Sequence, residues 1–270
     1  MMDFEVGFLG GGNMARALAG GLSRKLSPEK IHVFDRHPEK LAKLRADFGL
    51  AVHESLGDWV TKLDLLVLAV KPQGMKAALE PVVPLLNPAG AALSIAAGIE
   101  AESLRGWLKG YPVMRAMPNT PAMVGCGTTG FWAPAGMPAE ALSRAKFVLE
   151  AAGDVVEVAD EAGIDLVGAI PGSGPAYVFR FMEALQMAGE RRGLGRNAAR
   201  ALALGTVYGA AVLARESGEP FSTLRENVTS KGGTTAKALE VMNARDIDGM
   251  MDEAVEAALR RTAEMKALFR

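Results

Sequence analysis

Gly10, Gly12 and Ala15 stand in a G-x-G-x-x-A spacing, directly after the apolar run Val6-Gly7-Phe8-Leu9 and directly before a helical pattern (Ala17, Leu18, Gly21, Leu22). A strand, a glycine turn and a helix in that order make an anion site. The first helical turn has N–H groups without intrahelical partners, and the positive end of the helix dipole adds to them. Gly10 allows the tight turn, Gly12 admits a pyrophosphate close to the backbone, and Ala15 keeps helix and strand together. The candidate contacts to a dinucleotide are therefore Leu9, Gly10, Gly11, Gly12, Asn13, Met14 and Ala15.

The next chemical signal is Asp35, 20 positions after Ala15 and at the end of the strand-like run Ile31-His32-Val33-Phe34. An acidic residue there bonds a ribose 2′-hydroxyl, as NAD requires, whereas Arg36 immediately after it suits a 2′-phosphate. The two conflict unless Asp35 turns away. The balance favours NADP(H), with NAD(H) possible. His32, His37 and His53 fall on or near the adenosine side and read as structural or surface residues. The sequence contains no H-E-x-x-H and no spacing of a catalytic triad or metal cluster.

Chemistry must then come from loops at the carboxyl ends of strands, where ligands bind in open α/β sheets. Ala69-Val70-Lys71-Pro72 follows one strand-like run, Ala96-Ala97-Gly98 another, with small residues that leave room for a nicotinamide, and Met117-Pro118-Asn119 a third. Later, Pro171-Gly172-Ser173-Gly174-Pro175 opens a long helix. Thr229-Ser230-Lys231-Gly232-Gly233-Thr234-Thr235 opens another, and its hydroxyls and N–H groups suit a carboxylate or phosphate. Cys126 reads as a small packed residue near a turn rather than a nucleophile.

The elements that hold these residues alternate. Apolar runs at 6–9, 31–34, 64–70, 91–96, 113–117 and 155–158 are separated by helical patterns at 13–25, 38–48, 73–86 and 139–152, which predicts a Rossmann-type doubly wound parallel sheet. After Asp160 long alanine-rich helices take over, at 176–192, 198–216, 234–243 and 248–268. The expectation is an α/β chain of two domains: residues 1–160 bind the dinucleotide, and the all-α residues 161–270 bind substrate and dimerise. Ala201–Ala214 has almost no polar face, so it must be buried all round, by a second copy of the domain or by the first domain of the same chain. That uncharged run is too short to span a bilayer. A formal net charge of −1 without a basic block points to no nucleic acid or membrane. One cysteine and no visible signal peptide predict a soluble, cytoplasmic chain.

Five segments together resemble pyrroline-5-carboxylate reductase: Phe8–Ala15, Ala69–Gln73, Arg115–Pro121, Gly172–Tyr177 and Val228–Thr235, in that family's order and spacing over residues 4–266. The resemblance implies NAD(P)H-dependent reduction of L-1-pyrroline-5-carboxylate to L-proline, the last step of proline synthesis. It also implies a homodimer through the C-terminal helices, often assembled into larger rings such as decamers. On it, Gly10–Ala15 hold the pyrophosphate and Asp35-Arg36 flank the ribose. Ala69, Val70, Lys71, Pro72, Ala97 and Gly98 line the nicotinamide half, and Asn119 approaches the ring. Ser230, Gly232, Gly233, Thr234 and Thr235 bind the substrate carboxylate across the dimer interface; apart from the resemblance, Ser173 and Thr235 are the candidate catalytic hydroxyls. One departure stands out. Where the family commonly has Thr and Ser, this chain has Gly168 and Pro171, so the usual hydroxyl donor to the imine nitrogen is missing. Ser173 or a bound water takes that role, since an imine must be protonated to accept hydride. Two rivals share the features: an imine or 2-hydroxyacid dehydrogenase on the same plan, and a cofactor-binding protein without activity. The absence of a lysine from 176–192 weighs against the hydroxyacid enzymes, and the intact 230–235 loop against the second.

Overall fold

The apolar runs become the strands of one sheet in the computed structural model, which describes residues 2–268. They are β1 (Val6–Leu9), β2 (Ile31–Phe34), β3 (Ala51–His53), β4 (Leu65–Leu68), β5 (Ala91–Ser94), β6 (Val113–Met117), β7 (Gly127–Trp132) and β8 (Gly153–Glu157), in the order β3-β2-β1-β4-β5-β6-β7-β8. Neighbours run parallel except β6 and β7, which are antiparallel. β1, β4 and β5 are buried along their whole length, as parallel strands covered on both faces must be. Alternate residues feed two cores: Leu65 and Val67 pack on one face, Leu66 and Leu68 on the other.

The helices are α1 (Asn13–Leu22), α2 (Pro38–Phe48), α3 (Met75–Leu79), α4 (Ala101–Trp107), α5 (Ala139–Leu149), α6 (Gly163–Val167), α7 (Gly174–Glu190), α8 (Arg196–Ser217), α9 (Phe221–Asn227), α10 (Thr234–Ala244) and α11 (Ile247–Ala267). Leu18, Leu22, Leu41, Leu44 and Val148 place α1, α2 and α5 over one face of the sheet, while Met75, Leu79 and Leu104 place α3 and α4 over the other. The helix expected over 73–86 is shorter, with 3₁₀ turns at Pro72–Gly74 and Val83–Leu85 on either side of α3. Pro72 and Pro84, which lack a backbone N–H, fall in those turns.

The chain forms two compact units, residues 1–173 with 258–270, and residues 174–257. The division falls later than the change in sequence texture near residue 160, because α6 packs on β6 and β7. The last turns of α11 belong to the first unit as well. Within the second unit α7 and α8 pack together, yet Ala199 and Ala203 are its only buried residues. Within that unit the apolar helix keeps much of its surface uncovered, with Tyr208 70% exposed and Leu202 59%. α8 continues through Arg196, Arg200, Arg215 and Glu216 to 22 residues. By length and composition alone it is long and apolar enough to cross a bilayer, which the shorter uncharged run within it is not.

Candidate active site

The sheet order reverses between β1 and β4, which opens a crevice at their carboxyl ends. Gly10 follows β1 and Ala69 follows β4 there, and Gly10 has φ +106°. A β-carbon on Gly10 would lie 2.9 Å from the Ala69 carbonyl oxygen, so only glycine fits. Its N–H donates to the Phe34 carbonyl at 2.7 Å, closing the turn onto β2. Gly12 is the N-cap of α1 in extended geometry, and no side chain caps that helix. A β-carbon on Gly12 would meet nothing within 4 Å, so the glycine leaves an open cradle before the first-turn N–H groups. A phosphate fits there on size and on charge.

Asp35 is 7% exposed, and its carboxylate points into the fold. Oδ2 accepts the Gly11 N–H at 2.8 Å and Lys40 Nζ at 3.3 Å; Oδ1 accepts the His37 N–H at 2.9 Å and lies 2.7 Å from His37 Nδ1. Burial alone would push this carboxyl up. The Gly11 N–H, His37 and Lys40 outweigh it and hold the group below the usual carboxylate range. Arg36 is exposed beside it and has no hydrogen bond or ion pair among the described residues. His37 thus serves Asp35. His32 does not lie beside the adenosine loop: its Nε2 is 2.8 Å from Glu5 Oε2, before β1 and so toward the amino edge, and its Nδ1 is 2.9 Å from His53 Nε2. His53 stacks on Trp59 with centroids 4.3 Å apart. Burial first, then His32 and Arg45, pushes His53 down. Sequence spacing gave no sign of this stack.

The loops at the other strand ends divide between open and internally bound residues. Lys71 is exposed and Pro72 half-buried after β4, while Ala97 is half-buried and Gly98 buried after β5. Asn119 is 7% exposed with its amide engaged at both ends. Oδ1 accepts the Thr128 N–H at 2.9 Å, and Nδ2 donates to the Pro171 carbonyl at 3.0 Å. It therefore ties the strand-end loop to the segment before Ser173. That segment, Gly168–Gly172, is a π-helical turn, a shape common at functional positions. Ser173 Oγ donates to the Gly168 carbonyl at 3.0 Å. A β-carbon on Gly168 would find only Met117 Cε, at 3.8 Å, so the space of the missing side chain is real.

In the second unit Gly232 has φ +71° and Gly233 is the N-cap of α10, again without a side-chain cap. The turn closes by the Gly233 N–H donating to the Ser230 carbonyl at 3.0 Å. Ser230 and Thr234 are exposed and Thr235 is half-buried. Among the described residues no group of His, Cys, Asp and Glu could hold a metal ion, and Cys126 is an exposed thiol.

A family model described as pyrroline-5-carboxylate reductase dimerisation matches residues 161–265, and one described as NADP oxidoreductase, coenzyme F420-dependent, matches residues 5–98. The pyrroline-5-carboxylate reductase of Pseudomonas aeruginosa is 42% identical over 263 residues, covering 97% of this chain and 96% of the relative. Among solved structures, a pyrroline-5-carboxylate reductase from Coxiella burnetii superposes with a TM-score of 0.94 at 35% identity, covering 98% of this chain and 99% of that one. Plasmodium falciparum pyrroline carboxylate reductase, solved with NADP bound, gives 0.84 at 28% identity with the same coverage.

Proposed function

This chain belongs to the pyrroline-5-carboxylate reductase family, which reduces L-1-pyrroline-5-carboxylate to L-proline with NAD(P)H, and we propose how its residues divide that work. Gly10–Ala15 bind the cofactor pyrophosphate, as the open cradle at Gly12 supports. NADP(H) is preferred over NAD(H). The inward turn of Asp35, whose oxygens are taken by Gly11, His37 and Lys40, is the observation that carries this preference. It removes a ribose acceptor and leaves Arg36 as the exposed group for a 2′-phosphate. Ala69–Pro72 with Ala97 and Gly98 line the nicotinamide half, and Asn119 acts there by fixing Pro171.

A bound nicotinamide supplies the hydride; the chain supplies placement, charge and a hydrogen-bond donor to the imine nitrogen, whose proton comes from solvent. The uncapped start of α10, with Ser230, Gly232, Gly233, Thr234 and Thr235, grips the substrate carboxylate, since its N–H groups and hydroxyls all donate. Much of the rate comes from that positioning. Ser173 Oγ already carries a proton in a hydrogen bond to the Gly168 carbonyl. Turned to the imine nitrogen, that hydroxyl donates the hydrogen bond of the missing threonine and keeps its proton.

The family forms homo-oligomers through its dimerisation domain. The second unit, nearly without a core of its own, is completed by a second copy of itself, with a decamer as the higher assembly. A single cysteine suits a reducing, cytoplasmic setting.

The deciding experiment is steady-state reduction of L-1-pyrroline-5-carboxylate with NADPH and with NADH. NADPH gives the higher kcat/KM. Arg36→Ala lowers the NADPH value by about tenfold or more, one charge-assisted contact, and leaves the NADH value unchanged. A parent enzyme that favours NADH, or an Arg36→Ala loss equal for both, overturns the assignment.

A further inference from the structure

The loop after β5, Ile95-Ala96-Ala97-Gly98-Ile99-Glu100, lines the nicotinamide half on the reading above, and two charge clusters fix it. In the first, Glu161 Oε1 accepts the Ala101 N–H at 2.6 Å and Arg115 Nη1 at 2.8 Å. Arg115 stands on β6 and is 1% exposed, so its buried charge holds Glu161, and Glu161 holds the end of the loop. In the second, Lys266 Nζ, near the end of α11, lies 2.5 Å from Asp165 Oδ2 and 3.6 Å from Glu100 Oε1. The backbone of that last turn also lies against the loop. A β-carbon on Gly98 would be 3.5 Å from Met265 Cβ and 3.9 Å from the Lys266 nitrogen.

We propose that Lys266 is a positioning residue for the reductase reaction: by bridging Glu100 and Asp165, it presses the last turn of α11 on Gly98 and fixes the loop that receives the nicotinamide. The Lys266 side chain is 15% exposed and those of its partners 20% and 31%. Partly solvated ion pairs add little to global stability. They do restrict where a loop sits, and hydride transfer is sensitive to displacements near an ångström. The proposal rests on the assignment of Ala97 and Gly98 to the nicotinamide, and the test separates the two.

Lys266→Met, Lys266→Arg, Glu100→Gln and Ala97→Leu are compared with the parent as full-length oligomers. The readouts are kcat and KM with NADPH, the dissociation constants of NADPH and of adenosine 2′,5′-bisphosphate, and the melting temperature. Lys266→Met is expected to lower kcat by about tenfold or more and to weaken NADPH. Binding of adenosine 2′,5′-bisphosphate, which has no nicotinamide, stays parental. Lys266→Arg recovers most of the loss, and Glu100→Gln moves kcat in the same direction as Lys266→Met. If Lys266→Met does not fold, Glu100→Gln alone decides. Parental kcat and NADPH affinity in Lys266→Met, or in Glu100→Gln where that variant decides, overturn the positioning role, as does a loss of adenosine 2′,5′-bisphosphate binding equal to that of NADPH. Ala97→Leu crowds the loop directly. If it too is parental, the nicotinamide assignment fails; if it is impaired while Lys266→Met and Glu100→Gln are not, the assignment stands and the positioning role alone fails.

Discussion

Asp35→Asn keeps the shape of the side chain and changes only what its two outer atoms can accept. In the native turn those atoms receive the Gly11 N–H at 2.8 Å, the His37 N–H at 2.9 Å and Lys40 at 3.3 Å. An amide presents one acceptor oxygen and one N–H₂ group. In either orientation a backbone N–H of Gly11 or His37 then faces another donor. A hydrogen bond to a charged acceptor contributes about 1.5–3 kcal/mol, so the turn conformer loses roughly 2 kcal/mol, a factor of about thirty. Because both cofactors need that turn, kcat/KM with NADPH and with NADH falls by up to this factor, and their ratio is unchanged. Denaturant unfolding at fixed protomer concentration shows the same loss. Its pH dependence has a definite sign: the folded carboxyl titrates below its unfolded value of about 3.9, so its contribution is complete above that pH. The contribution disappears as pH falls through the folded value, and parent and variant curves converge there. A loss confined to NADH would refute the reasoning, since it would place Asp35 on the ribose.

Three further outcomes are expected. Gly10→Ala places a β-carbon 2.9 Å from the Ala69 carbonyl oxygen at φ +106°, and backbone strain of about 1–3 kcal/mol should weaken NADPH by roughly fivefold to 150-fold in calorimetry. Gly168→Thr fits the space, with Met117 Cε 3.8 Å from the new β-carbon and a helical backbone at φ −60°, so the enzyme folds and its pH–rate profile shifts as a hydroxyl reaches the imine. A profile and turnover equal to the parent's would remove position 168 from the imine site. Leu204→Glu puts a charge on α8 where the leucine is 48% exposed in a single chain. Sedimentation should show dissociation and melting should fall, whereas an intact oligomer would show that this face is not between copies.

Much of this was legible in the chain because long apolar runs and helical periods are cooperative signals. β1, β2, β4, β5 and β6 fall inside the runs read as strands, and α7, α8, α10 and α11 lie within two residues of the helical patterns. β3 was hidden by its length, three residues at the sheet edge. β7 was hidden by its composition: Gly127-Thr-Thr-Gly-Phe-Trp has two glycines and no clear alternation, and its antiparallel partner supplies the order. At the site, spacing located Asp35 but could not show which way it turns, because that depends on Lys40 one helical turn later and on the Gly11 N–H. Asn119 was located by its place after a strand, and the resemblance set it near the nicotinamide ring; its bonds to Thr128 and Pro171 could not be read, since those residues meet it only after the chain folds.

With Ala199 and Ala203 as its only buried residues, the second unit has a consequence for how the protein comes into being. On the dimer proposed above, residues 174–257 gain their core from a second copy, so their folding is expected to be bimolecular. The nucleotide-binding half is then expected to form first, at a rate independent of concentration, with the helices ordering when two chains meet. Dilution should therefore act on this enzyme as a denaturant does. The last phase of refolding should accelerate in proportion to protomer concentration, and a chain that finds no partner remains a folded sheet trailing unordered helices.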